Sequence, residues 1–247
     1  ESVVRALAME GEEKEEALAT LANNLSARHL NMGQLDRALE FQLKALAIRE
    51  AVLDKNHPDL AQSYNNVSMI YQDMGQLERA LEFQLKANEI YEAVLDKNHP
   101  ALATSYNNVS MIYKDMGQLD RALEFQLKTV EIFEAVLAKN HPSLATSYNN
   151  VSLIYQDMGQ LDRALEFQLK ALAIREAVFD KNHPSLATSY NNLSTIYFHM
   201  NDYAAALSFA EKAVAILQEL FPNGHPDLDL FKGNLEYVKK NRMMSDE

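Results

Sequence analysis

Cysteine is absent from the 247 residues. Its absence excludes disulfides and thiolate metal sites and fits a reducing compartment, so a cytoplasmic location is expected. No apolar run approaches the roughly 18 residues that a membrane span needs. Glu1-Ser2-Val3-Val4-Arg5 lacks the basic start and following apolar core of a secretion signal. A chain that opens on Glu rather than Met is expected to be a fragment, a processed chain or a trimmed piece. Positive charge is scarce: 23 Lys and Arg face 35 Asp and Glu, for a net charge of −12. With no basic stripe to follow a phosphate backbone, neither nucleic acid nor membrane is an expected partner. The chain also lacks a Gly-rich phosphate loop, a nucleophile elbow and an HExxH helix. No enzymatic activity, cofactor or metal is expected.

What the chain has instead is one unit repeated. His57-Pro58, His99-Pro100, His141-Pro142, His183-Pro184 and His225-Pro226 recur at intervals of 42 residues. Gly33, Gly75, Gly117 and Gly159 keep that interval, as do the Asn pairs 23/24, 65/66, 107/108, 149/150 and 191/192. A period of this size predicts a solenoid, in which each repeat is one supersecondary unit stacked on its neighbours. Residues 59–100 and 101–142 differ at only eight positions, which points to recent duplication or consensus-like construction.

Residues 143–184 serve as the type unit. Pro142 suits a first helical turn, where its missing N–H is no loss. Leu144, Tyr148, Val151 and Tyr155 follow at i, i+4, i+7 and i+11, the stripe of an amphipathic helix, here helix A. Small Ala145 and Ser152 allow another helix to approach. Gly159 is expected to end helix A in a left-handed conformation, with Asn201 taking that role in the last unit. Helix B, from about Leu161 to Val178, carries a wide apolar arc of Leu161, Ala164, Leu165, Ala171, Leu172, Ile174 and Val178. Glu166 and Lys170 form an i,i+4 pair that marks the solvated side, as do Glu40/Lys44, Glu82/Lys86 and Glu124/Lys128. The expected fold class is an all-α superhelix of five helix–turn–helix units.

These landmarks resemble the tetratricopeptide repeat: Tyr148-x₂-Val151-Ser152-x₂-Tyr155, then Gly159, Ala164, Ala171 and Pro184. The 42-residue period, the Asn-Asn in helix A and the ALAIREAV-x₄-HP ending resemble the repeats of kinesin light chain. Where the motif has Phe, this chain has Gln42, Gln84, Gln126 and Gln168, each in the apolar arc. A buried Gln needs a hydrogen bond, so each is expected to bond a neighbouring backbone or the next repeat. The expected domains are 1–16, an N-terminal cap or remnant of a preceding repeat, with Val3, Val4, Leu7 and Met9 as its apolar residues; 17–226, five repeats; and 227–247, a cap helix and frayed tail from Met243. In the cap helix Leu228, Phe231, Leu235 and Val238 are expected to face inward.

The resemblance implies that helix A lines a concave groove holding an extended peptide. Transferred position by position, it assigns Asn149, Asn150, Leu153, Gln156 and Asp157 of the type unit to peptide binding. The corresponding residues are Asn65, Asn66, Met69, Gln72 and Asp73, then Asn107, Asn108, Met111, Lys114 and Asp115, with Asn24 and Asn192 in the outer units. Asn carries donors and an acceptor, so an Asn ladder suits a peptide backbone without reading its side chains. The other reading has one Asn of each pair bonding a neighbouring helix and holding repeat to repeat, with the second Asn of each pair favoured for the groove. With Asp73, Asp115 and Asp157 against Lys114, a neutral or basic peptide is favoured. The His ladder is expected to be turn chemistry rather than a metal site, since its members lie one repeat apart. Two functions follow: a protein-interaction module such as an adaptor, scaffold or sensor arm, or a structural spacer that holds domains apart or self-associates.

Overall fold

The computed structural model describes residues 11–245, so the expectation for Val3, Val4, Leu7 and Met9 lies outside it. Among the described residues there are eleven helices and no strand: α1 (Glu12–Asn31), α2 (Leu35–Val52), α3 (Pro58–Asp73), α4 (Leu77–Val94), α5 (Pro100–Asp115), α6 (Leu119–Val136), α7 (Pro142–Asp157), α8 (Leu161–Val178), α9 (Pro184–His199), α10 (Tyr203–Leu220) and α11 (Pro226–Ser245). They form five A–B pairs and a final A-type helix. Helix α1 starts ahead of the expected boundary at residue 17, and α11 takes in Met243 and Met244. The chain divides into two compact units, Glu1–Ile132 and Phe133–Glu247.

The chain enters helix A in the same way at α3, α5, α7 and α9. The residue before Pro is held extended, as at His57 with φ −72° and ψ 132°, and Pro takes the first turn. The imidazole then caps the helix. His57 Nδ1 accepts from the Asp59 N–H at 3.2 Å, and His99, His141 and His183 do the same two residues on at 3.1 Å. The His ladder is thus a set of N-caps, an unusual choice because His is not among the favoured capping residues. Among the described residues no group of three His, Cys, Asp or Glu could hold a metal.

The exit from helix A is a Schellman turn. Gly159 has φ 73°, Gly159 N–H bonds Gln156 O at 2.9 Å, and Gln160 N–H bonds Tyr155 O at 2.8 Å. Asn201 holds φ 63° at the equivalent place.

Within each pair a buried Ser of helix A donates to an Ala carbonyl of helix B: Ser26 to Ala38, Ser68 to Ala80, Ser110 to Ala122, Ser152 to Ala164 and Ser194 to Ala206, at 2.7–2.8 Å. The Ala residues involved are fully buried, so the backbones approach closely and the hydroxyl pins them together. In the first unit the core gathers Leu46, Leu60, Val67, Tyr71, Ile90 and Ile112. In the second it gathers Leu172, Leu186, Leu193, Ile216, Leu217, Leu228 and Phe231. Leu228, Phe231, Leu235 and Val238 of α11 are all buried. At the ends of α2, α4, α6 and α8 the next helix A is tied to helix B by a Tyr–Glu bond. Tyr64 and Tyr106 donate to Glu50 and Glu92 at 2.7 and 2.9 Å. Burial first, and the carboxylate second, pushes both phenols up to about 12.

The Gln column departs from expectation. Gln42, Gln84, Gln126 and Gln168 are at most 2% exposed. Of the four, Gln84 bonds the next repeat, through Ser105 Oγ at 3.3 Å. Gln126 and Gln168 find no protein partner for either amide atom, and Gln42 finds none for Nε2. The aromatic ring comes from the residue just before: Phe83 lies 6.1 Å from Tyr64 and 5.5 Å from Tyr71, centroid to centroid. Each Gln is thereby carried into the interior beside a Phe that packs well.

Candidate functional site

The A helices of each unit present the Asn pairs on one side, and the pairs interlock. In the first unit Asn66 Nδ2 donates to Asn23 Oδ1 at 3.0 Å and Asn108 Nδ2 to Asn65 Oδ1 at 2.8 Å. In the second, Asn192 Nδ2 donates to Asn149 Oδ1 at 2.9 Å and Asn234 Nδ2 to Asn191 Oδ1 at 3.0 Å. The second Asn of one repeat thus reaches back to the first Asn of the repeat before. Each such bond contributes about 0.5–1.5 kcal/mol. Sequence reasoning left Asn234 out, although its place 42 residues after Asn192 was the available signal.

The ladder does not exhaust the amides, because Asn offers two N–H groups and two acceptor lone pairs. Asn24 is exposed, Asn66, Asn108, Asn150 and Asn192 are half-buried, as are Asn65 and Asn107, and Asn149 is buried. The face is partly pre-set by its own side chains. Gln62 Nε2 donates to Asn66 Oδ1 at 2.9 Å, Asn65 Nδ2 lies 3.5 Å from Met69 Sδ, and Gln72 Nε2 donates to Asp115 Oδ2 at 2.7 Å. Met69 is 51% exposed, an unusual state for a large apolar side chain. Met111, Leu153, Gln72, Gln156 and Lys114 are half-buried, and Asp73, Asp115 and Asp157 are exposed. The three carboxylates sit at helix C-termini, where the helix dipole does not favour them. Asp73 and Asp115 give the first unit's face an acidic edge, and Asp157 adds an acid to that of the second.

The character of this face changes at both ends. In the first unit, Ala27 stands where later repeats have Met69, Met111, Leu153 and Thr195, and Leu30 where they have Gln72, Lys114, Gln156 and Phe198. Toward the end of the second unit the face is aromatic. Phe198 lies 5.1 Å from Tyr237 and 5.4 Å from Tyr203, ring to ring, and Tyr237 is 59% exposed. Among the described residues no helix is long and apolar enough to cross a membrane.

Comparison with known proteins agrees with this geometry. The tetratricopeptide repeat model matches residues 17–93, 61–135, 102–177 and 143–219 in overlapping registers. The nearly identical TPR-like repeats of a kinesin light chain candidate from Podosopora anserina superpose with a TM-score of 0.74 at 26% identity, over 86% of this chain and 99% of that one. BtubC (BKLC) of P. vanneervenii superposes at 0.77 with 26% identity, over 91% and 90%. The apo form of RapI, at 18% identity and a TM-score of 0.72 over 92% and 85%, shares the fold. No curated protein sequence matches the chain. With family-model matches running from residue 17 to 219, over helices paired and capped as described, the chain belongs to the tetratricopeptide repeat family.

Proposed function

We propose that the A-helix face binds an extended peptide of a partner protein, so that the chain serves as an adaptor, scaffold or sensor arm. Tetratricopeptide repeats generally mediate protein–protein interaction and typically lack catalysis of their own. The carrying observation is half-buried Asn66, Asn108 and Asn192, each of which donates one amide N–H to the preceding repeat and carries a second N–H besides. Such groups suit a peptide main chain, which offers a donor and an acceptor at most residues. The acidic residues Asp73, Asp115 and Asp157 favour a neutral or basic peptide. A cytoplasmic setting accords with the absence of cysteine.

The spacer reading has its own support, since the Asn–Asn bonds join repeat to repeat. One pair of measurements separates the two. Peptides are selected on the chain from a displayed random library, and their affinity and the melting midpoint are then compared for wild type and Asn108→Ala. The binding reading expects about a tenfold loss of affinity from the lost main-chain contact, beyond the modest fall in stability from losing the bond to Asn65. Failure to select any peptide, or unchanged affinity alongside reduced stability, assigns these asparagines to spacing alone.

A further inference from the structure

The first unit contains a cavity of about 150 Å³ between α1 and α3, lined by Asn23, Ser26, Ala27, Leu30, Gln42, Asn66, Met69 and Ile70. It opens beside the Asn23–Asn66 rung, on the face assigned above to peptide. Its origin is a truncation: Ala27 replaces the Met69, Met111 or Leu153 of the following repeats. Several of its polar groups are already engaged. Ser26 Oγ donates to Ala38 O at 2.8 Å, Asn66 Nδ2 donates to Asn23 Oδ1 at 3.0 Å, and Asn66 Oδ1 accepts from Gln62 at 2.9 Å. Gln42 is different. It is 98% buried by its 2% exposure, and its Nε2 has no protein partner.

A buried donor left unpaired is costly, so turning the Gln42 amide to bring its closed-off Nε2 to the cavity wall, where a guest supplies an acceptor, gains more than the same contact would on the open face. The remaining walls are Ala27, Leu30, Met69 and Ile70, which favour an aliphatic stem. No lining residue is charged, so an ammonium, guanidinium or carboxylate tip would give up hydration without compensation. A primary amide satisfies all three conditions. Because it both donates and accepts, it pairs with Gln42 whichever way the Gln42 amide is turned. The volume is roughly that of five waters, enough to admit a glutamine side chain.

We propose that the α1–α3 cavity is the anchor subsite of the peptide face and takes the primary-amide side chain of a Gln or Asn in the bound segment, paired with Gln42. This anchor rests on the peptide reading above. It turns a face that reads main chain without discrimination into one with a sequence preference at one position.

The test uses the full chain in two arms. In the first, butyramide, an analogue of the glutamine side chain, is titrated in and followed by NMR. The expected result is a saturable response at the Gln42 side-chain amide and the Ala27 methyl, with none for butylammonium. The response is lost in Ala27→Leu, a substitution the fold accommodates because Leu153 occupies the equivalent place. Gln42→Met, which keeps size and removes the amide, also loses it. No response at Gln42, or an equal response in Ala27→Leu, overturns the anchor. In the second arm, peptides selected from the displayed library are expected to carry Gln or Asn at one fixed position and to bind Ala27→Leu about tenfold more weakly. Peptides bound equally by both proteins, with no amide position, overturn the anchor and leave the peptide reading standing. A library that yields no binder, alongside a butyramide response confined to Gln42, overturns the peptide reading and leaves the cavity's amide preference intact.

Discussion

Residues 35–52 and 161–178 are the same eighteen amino acids, LDRALEFQLKALAIREAV, and both form one unbroken helix, α2 in the first unit and α8 in the second. Their surroundings make them different. Arg49 of α2 reaches Glu16 with two bonds at 2.8 and 3.2 Å and Ser63 Oγ at 2.9 Å. Arg175 of α8 reaches Ser189 Oγ at 2.5 Å and Ser185 O at 3.4 Å, with no carboxylate partner among the described residues. Burial lowers the Arg175 pKa from its ordinary value, without an opposing acid. The cause is visible one helix away. Helix α1 starts four residues ahead of the position of Glu16, so its first turns supply that carboxylate, whereas Pro142 holds the corresponding place at the start of α7. The Gln pair tells the same story. Gln42 borders the cavity beside Ala27, while Gln168 is fully buried with neither amide atom paired. Helix identity is a local property. The environment of each side chain is set by the neighbouring repeat.

The strongest way to break this comparison is to remove the two arginines separately. Arg49→Met removes the partner of a Glu16 side chain that is 38% exposed yet keeps its Oε2 buried and unpaired, and with solvent screening the part-exposed carboxylate it is expected to cost about 2 kcal/mol. Arg175→Met replaces a buried charge that lacks a counter-charge, so its effect is expected to lie within about 1 kcal/mol of zero or to be stabilising. Urea unfolding of both variants decides it; equal losses would mean that the two sites are energetically alike despite their different partners.

The turns offer the next largest effect. A Cβ at Gly159 meets nothing within 4 Å, so Gly159→Val probes backbone conformation alone and should lower stability by about 2 kcal/mol. Asn201→Gly, at a turn that already tolerates a side chain, should change it by less than about 1 kcal/mol. A thermal melt in which Gly159→Val is silent would contradict the left-handed geometry of that turn.

Gln168→Leu sharpens the comparison from the other side. It removes two unpaired buried amide atoms and should raise stability by about 1 kcal/mol. Gln42→Leu, beside the cavity, should gain less, and calorimetry showing the reverse order would indicate that Gln168 is satisfied in solution.

The smallest effect is expected at alkaline pH. Tyr64 and Tyr106 titrate near 12 in the folded chain against 10.0 for a free phenol. The unfolded chain therefore ionises first. The stability these phenols contribute is fully present below pH 10 and is lost as pH rises toward 12. Tyrosinate absorbance measured against helix content should show ionisation of these rings lagging behind exposed tyrosine, and Tyr64→Phe should flatten the pH dependence across that window.

The sequence by itself determined the repeat, its helices and its turns. A period of 42, Pro at each helix start and Gly or Asn at each left-handed turn are local backbone requirements, so they are written locally. The same spacing placed the Asn pairs on one side of helix A, because helical periodicity alone settles which residues share a face. Tertiary structure decided what those residues touch. Which Asn donates to which, that His caps the helix, that a Ser hydroxyl pins helix A to helix B, and that Gln126 and Gln168 lack partners all depend on distances between helices, which no period encodes. The cavity at Ala27 lies between these cases. The small residue is plain in the sequence, but its meaning required the neighbouring helix, because a missing side chain becomes a binding space only where close-packed walls surround it.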